Sequence, residues 1–281
     1  MILQKEIKEK AAKWKVPPDT VDKDYVLGHF LATISLHFKH VLIFKGGTCL
    51  RKCYFPGYRF SEDLDFTAKN ADYELKKKDL NSISKKLEKT IGIRFSIGEI
   101  KAMKHQDVLK GYQVKIKYWG ANHSINAAPP PPDRWMTSIK LEVSIDEVML
   151  CDAIEKNIIH PYSDELSHDK VFAYSLDEVV SEKLRALKQR SYTAPRDIYD
   201  LFTLTNNFKA EEWERIKPLF QQKMKAKGLS IDSAEELVSV ENLQHISKAW
   251  DGSVKHQLVQ DYQPKKDEII QSVVDRIKHN L

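Results

Sequence analysis

The sequence predicts an α/β domain with a mixed sheet followed by a helical domain, and three observations carry that prediction. Short apolar or alternating runs at 41–44, 63–66, 93–97, 112–118 and 139–145 have strand character. Helix-period segments are interleaved with them in the first half. After Asp146 the strand signal fades, and one helical pattern follows another to the end. The expected organisation is an α/β domain over 1–160 with N-terminal helices and a helical domain over 161–281, the boundary lying somewhere within 154–174.

Residues 2–14 read as a basic amphipathic helix that Pro17 and Pro18 break. Asp19 or Thr20 is placed to cap a second helix reaching about Phe38, with Val21, Tyr25, Phe30, Ile34 and Phe38 at near-helical spacing. The apolar run 41–44 looks like a buried strand ending at Gly46-Gly47, and 48–54 has the length of a short helix. The charged stretch 69–89 spaces Leu75, Leu80, Ile83 and Leu87 along one helix face. Segment 127–133 contains Pro129 to Pro132, which cannot donate to a strand ladder, so it reads as an exposed crossing loop. Helices are expected over 176–190, 195–206, 211–227, 233–250 and 265–281. No internal repeat is evident.

The 281 residues, 42% hydrophobic and 30% charged, suffice for one large or two modest domains with apolar cores. A net charge of +5 assists the approach of a polyanion but falls short of a dedicated nucleic-acid-binding composition. The three cysteines are odd in number and lack paired spacing, which argues against a disulfide framework and for the cytoplasm. The apolar runs are too short for a membrane span, and the Lys/Glu-rich start has no signal-peptide core.

The densest chemistry lies between Lys45 and Phe66. Gly46 and Gly47 permit positive φ and close backbone approach, and a helix beginning there, through Thr48 and on to Lys52, would present free amides to a phosphate. Downstream, Ser61 offers a hydroxyl to a phosphate oxygen or caps the bend before the strand. Asp63 and Asp65 alternate with Leu64 and Phe66, so both carboxylates leave one face of a strand whose other face enters the core. Nucleotidyl transfer uses two divalent ions roughly 3.5–4 Å apart, and paired carboxylates suit magnesium, a hard ion that prefers oxygen. Glu142 is the candidate third ligand, on the polar face of 139–145 with Lys140 and Ser144; the alternative is a solvent-facing partner of Lys115 or Lys117.

Other motifs read as structure. Cys49 and Cys53, one helical turn apart, lack further zinc ligands and suit a core. The five tryptophans are scattered rather than arranged as a stacking platform. The lysine clusters 76–78, 85–86 and 223–227 read as solvated helix faces, the alternative being a guide for a nucleic acid.

Gly46-Gly47-Thr48, the run Arg59-Phe60-Ser61-Glu62-Asp63-Leu64-Asp65-Phe66, Glu182-Lys183-Leu184-Arg185-Ala186-Leu187 with Arg190, and Pro195-Arg196-Asp197-Ile198-Tyr199-Asp200 together resemble the AbiEii/AbiGii toxin family, over about 19–202. That resemblance implies a polymerase-β-like nucleotidyltransferase, generally the toxin of a type IV toxin–antitoxin or abortive-infection system. It implies transfer of a nucleotide from an NTP in a cleft between the two domains, with magnesium at Asp63 and Asp65, Ser61 near the phosphates, Lys183 on the triphosphate and Asp197 as the acid of the later motif. Residue chemistry alone would read Lys183 as a salt-bridged surface lysine beside Glu178 or Glu182 and Asp197 as a helix-start acid. The implied acceptor is an RNA, such as a tRNA end, or a protein, and the implied antitoxin counters the effect without a stable complex. The alternatives are a nucleotidyltransferase acting on a small molecule through a compact acidic pocket, and a nucleotide-binding module without turnover.

Overall fold

The computed structural model describes residues 1–124, 126, 128–189, 195–259 and 264–281. The chain divides into two compact units: 1–147 with 153–173, and 148–152 with 174–281.

The first unit opens with α1 (Gln4–Trp14) and α2 (Pro18–Phe38). Proline occupies the first position of α2, where its missing N–H costs no hydrogen bond, so the helix starts there without the expected Asp19 or Thr20 cap. Val21, Tyr25, Phe30 and Ile34 are fully buried, and α2 packs on the sheet and on α4 (Lys77–Ile91). Between them, β1 (Leu42–Lys45) turns directly into α3 (Gly46–Cys49), which continues as a π-helical stretch, Leu50–Tyr54. Strand β2 (Asp63–Ala68) follows, then α4, β3 (Arg94–His105), β4 (Val108–Trp119), β5 (Ser138–Ser144), β6 (Ile154–Asn157) and β7 (Lys170–Ala173).

The seven strands form one mixed sheet in the order β3-β4-β5-β2-β1-β7-β6. Strands β2 and β5 run parallel, as do β1 and β7, while the other pairs are antiparallel. Phe44, Leu64, Phe66, Ile139, Leu141 and Val143 alternate inward as the buried face.

Several elements depart from the sequence expectation for identifiable reasons. Strands β3 and β4 are 12 residues each, joined at Gln106 and Asp107, whose φ values of 47° and 60° fit a primed hairpin turn. A register shift between Ile97 and Ile100 breaks the two-residue period, which hides the full length of β3. Helix α4 starts at Lys77, with Lys76 extended, rather than near residue 69. The loop after β4 is tied down: Trp135 is buried and its indole N–H donates to Pro130 O at 2.7 Å. Four-residue strands β6 and β7 carry too few alternations to be read, yet β7 sits beside β1 with Phe44 opposite Ala173.

The second unit contains α5 (Leu176–Gln189), α6 (Pro195–Thr205), α7 (Ala210–Ala226), α8 (Val240–Ser253) and α9 (Lys266–Asn280). Buried Lys223 explains why 148–152 belongs to it. Its ammonium lies 2.5 Å from Glu178 and donates to Val148 O, while Glu178 accepts the N–H groups of Leu150 and Cys151. The lysine cluster at 223–227 is therefore not wholly a solvated face.

Candidate active site

The glycine turn and the aspartate strand meet in the first unit. Strand β1 pairs with β2 so that Lys45 lies opposite Asp65, which brings the next residue, Gly46, against the Asp65 carboxylate. Gly46 has φ +81°, and a Cβ there would fall 2.4 Å from Asp65 Oδ2. A Cβ on Gly47 would fall 2.7 Å from Arg59 Nη2 and 3.1 Å from Ser61 Oγ. Gly46 is thus demanded by its positive φ and by the Asp65 side chain, whereas what crowds Gly47 most closely is the mobile end of Arg59.

Glu142 lies in register with Asp65, and Lys140 with Asp63, on the neighbouring parallel strand β5. Lys140 Nζ is 3.4 Å from Asp63 Oδ2 and 3.4 Å from Glu142 Oε2. Burial, followed by the charges of Asp63 and Glu142, pushes the Asp65 carboxyl up to about 7. The same carboxylates hold the Lys140 ammonium above its ordinary range, against the opposing effect of burial. Three acids and one ammonium therefore share one patch of sheet, a concentration of negative charge that favours a cation.

Two expected phosphate ligands have other partners. Thr48 is fully buried and its hydroxyl donates to Asp63 O, so it braces the start of β2 and leaves only its backbone for a ligand. Lys52 corrects the expectation more fully. It is 1% exposed, with Nζ 2.8 Å from Asp24 Oδ2, while Arg51 Nε lies 2.7 Å from Asp24 Oδ1. Burial alone would raise the Asp24 carboxyl, but the two cations hold it well below the usual range. Lys52 points to the core side of the helical segment because it neutralises a buried aspartate of α2.

In the second unit, α5 and α6 bring Lys183 to Asp197 and Asp200, with Nζ 2.6 Å from a carboxylate oxygen of each. Both aspartates are buried, one helical turn apart on α6. This changes the partners in the salt-bridge reading of Lys183, since Asp197 and Asp200 come from α6 rather than from its own helix, and leaves the reading of triphosphate contact untouched. Asp197 is correspondingly a partner of Lys183 rather than a simple helix-start acid. Arg190 lies outside the described residues.

Sequence reasoning gave no site role to Lys140, Arg59 or Asp200. The available signals were the two-residue spacing of Lys140 and Glu142, the position of Arg59 two residues before Ser61, and the three-residue spacing of Asp197 and Asp200.

Comparisons with known proteins bear on the family and the fold. Residues 29–272 match the family model described as Nucleotidyl transferase AbiEii toxin, Type IV TA system. The structure is similar to MenT4, a nucleotidyltransferase toxin from Mycobacterium tuberculosis H37Rv, at TM-score 0.58 and 16% identity, covering 99% of this chain and 100% of that one. It is also similar to a chain from H. pylori assigned as a nucleotidyltransferase, at TM-score 0.52 and 15% identity, covering 94% and 96%. No curated protein matches the sequence. At these identities the structural likeness speaks to the fold, whereas the family match spans most of the sequence: the chain belongs to the AbiEii nucleotidyl transferase toxin family of type IV toxin–antitoxin systems.

Proposed function

We propose that this toxin transfers a nucleotide from an NTP to an RNA hydroxyl, such as a tRNA end, with magnesium held by Asp63, Asp65 and Glu142. The observation that carries the reading is the β2–β5 register, which sets Glu142 beside Asp65 and one ammonium among the three carboxylates. The donor set fits magnesium, since every candidate ligand is a carboxylate oxygen and three carboxylates share the patch with one ammonium between two of them. When bound, two such ions would neutralise phosphate charge and activate the attacking oxygen.

The chain's own residues divide the remaining work. The amides after Gly46 and the Ser61 hydroxyl are suited to donate to phosphate oxygens. Within the second unit Asp197 and Asp200 hold the Lys183 ammonium in place, and the role we assign to it is the family one, contact with the triphosphate. The acceptor oxygen forms its bond to the α-phosphorus as the bond from that phosphorus to the β-phosphate bridge oxygen breaks. Pyrophosphate leaves, and the hydroxyl proton passes to solvent through the carboxylate patch.

A polyanionic acceptor is favoured by a cavity of about 410 Å³ that Asp63 and Lys140 share with Lys23, Lys101 and Lys115. Glu62 and Glu99 also line it; Glu62 and Lys23 pair at 2.6 Å and cancel, which leaves Lys101, Lys115 and Lys140 against Asp63 and Glu99. A cationic small acceptor would prefer the opposite balance.

The proposed setting is the cytoplasm, where the three free cysteines stay reduced, with an antitoxin that opposes the effect without a stable complex. Among the described residues no helix is long and apolar enough to cross a membrane. The test is a survey of each labelled NTP against total RNA, protein and small acceptors, with and without a magnesium chelator. Magnesium-dependent label on RNA is expected. Label confined to small acceptors, or NTP binding with no label anywhere, would replace this reading by one of the two alternatives.

A further inference from the structure

We propose that His29, His160 and Asp164 form a second cation site, one for a divalent transition metal of the zinc class, which pins the segment after β6 onto α2. Among the described residues this trio brings one donor atom from each side chain within 4.8 Å of the others. His160 Nε2 lies 3.1 Å from Asp164 Oδ1 and His29 Nε2 lies 3.3 Å from Asp164 Oδ2. Despite the 3.3 Å contact with Asp164, buried His29 Nε2 makes no regular hydrogen bond, and neither does buried His160 Nδ1. Unsatisfied buried ring nitrogens are costly, and a metal ion would give His29 Nε2 the partner it lacks.

The donor chemistry separates this site from the magnesium patch. Two imidazoles and one carboxylate suit zinc, copper, nickel or iron, whereas magnesium prefers oxygen alone. Access is through Asp164, which is 25% exposed, while His29 is 1% exposed. Tyr25 donates its hydroxyl to Asp164 Oδ2 at 2.7 Å, the kind of outer contact that orients a ligating carboxylate.

What the site would fasten is specific. Ile159 N–H donates to Lys52 O and the Tyr162 hydroxyl contacts Asp24, so the pinned segment backs the helical stretch that begins at Gly46. The predicted role is to stiffen that stretch from behind, independently of the reaction.

The experiment strips the full chain with a chelator, restores excess magnesium, and titrates Zn²⁺ and Co²⁺ by calorimetry, visible absorption and thermal melting. Wild type is expected to take one ion per chain, show a cobalt spectrum of nitrogen and oxygen ligation, and melt at a higher temperature with zinc. His160→Gln and Asp164→Asn, checked for native circular dichroism, should weaken binding by about 100-fold or more, while Asp65→Asn should leave it intact. Absence of stoichiometric uptake by wild type would overturn the proposal, as would uptake that survives both His160→Gln and Asp164→Asn or that disappears in Asp65→Asn.

Discussion

Glu142 stands directly opposite Asp65 across the parallel β2–β5 ladder, in a chain whose sequence separates the two by a hairpin and a proline-rich loop. If these carboxylates act with Asp63 on one cation, Asp65→Asn and Glu142→Gln should each lower magnesium-dependent transfer by at least about 100-fold while the fold persists. Single-turnover transfer with circular dichroism checks this. A Glu142→Gln enzyme with wild-type rate and magnesium dependence would remove Glu142 from the site and leave it a partner of Lys140.

Lys140 occupies space among the acids that a metal ion would also want. Replacing it by glutamine should remove a competing positive charge and lower the magnesium concentration for half-maximal activity, by about 3- to 10-fold. A magnesium titration of Lys140→Gln against wild type measures this. A rise in the required magnesium would mean that the ammonium assists the cation rather than competing with it.

How far the site could be read in advance follows from the range of each signal. Asp63 and Asp65 are legible because strand alternation is local, and the Gly46-Gly47 turn is legible because residue type alone restricts it. The polar face of β5 was visible, but which strand lies beside it depends on topology, so Glu142 remained one of two readings. Lys52 misled because the counter-ion that turns it inward, Asp24, sits 28 residues earlier on another helix. Strands β6 and β7 escaped notice because four residues give too little periodicity, and their place in the sheet rests on β7 pairing with β1 and β6 with β7.

The inward orientation of Lys52 gives a contrast with Lys183. Lys52→Ala leaves Asp24 with only Arg51 among its two cations and should destabilise the protein by about 3–5 kcal/mol, the usual cost of breaking a buried ion pair. Lys183→Ala also takes an ammonium away from two buried aspartates and should cost stability too, but it should in addition raise the KM for NTP or lower kcat beyond what that loss explains. Urea denaturation and steady-state kinetics on both variants separate stability from substrate contact. Lys52→Ala with native stability and a selective NTP defect would restore Lys52 as a phosphate ligand.

Asp22 makes stability depend on pH. It is fully buried; Oδ1 accepts the Ala121 N–H at 2.7 Å, but Oδ2 has no hydrogen-bond partner. Burial, only partly offset by the backbone hydrogen bonds, pushes its carboxyl up to about 7 from 3.8. A folded-state pKa above the unfolded value means that the folded protein binds the proton more tightly. Its contribution is therefore present below pH 4 and is lost as pH rises toward 7, on the order of 2–4 kcal/mol in full. Asp22→Asn keeps an oxygen for Ala121 and should flatten this decline, so the variant gains most over wild type at pH 8. Melting curves at pH 5 and pH 8 test the sign, and an equal difference between variant and wild type at both values would refute it.

Gly46 supplies the sharpest separation of backbone strain from site geometry, because Gly57 has nearly the same φ, +78° against +81°, without its surroundings. Alanine at either position should cost about 1–3 kcal/mol for holding a side chain in left-handed backbone. Only at Gly46 does the new Cβ collide with a carboxylate, 2.4 Å from Asp65 Oδ2, whereas nothing lies within 4 Å of a Cβ at Gly57. Gly46→Ala should therefore lose transfer beyond what its melting temperature explains, since Asp65 must move away from the turn. Gly57→Ala should lose stability alone. Equal loss of transfer in the two variants would mean that the turn matters only as backbone, and the pairing of Gly46 with Asp65 would then carry no catalytic meaning.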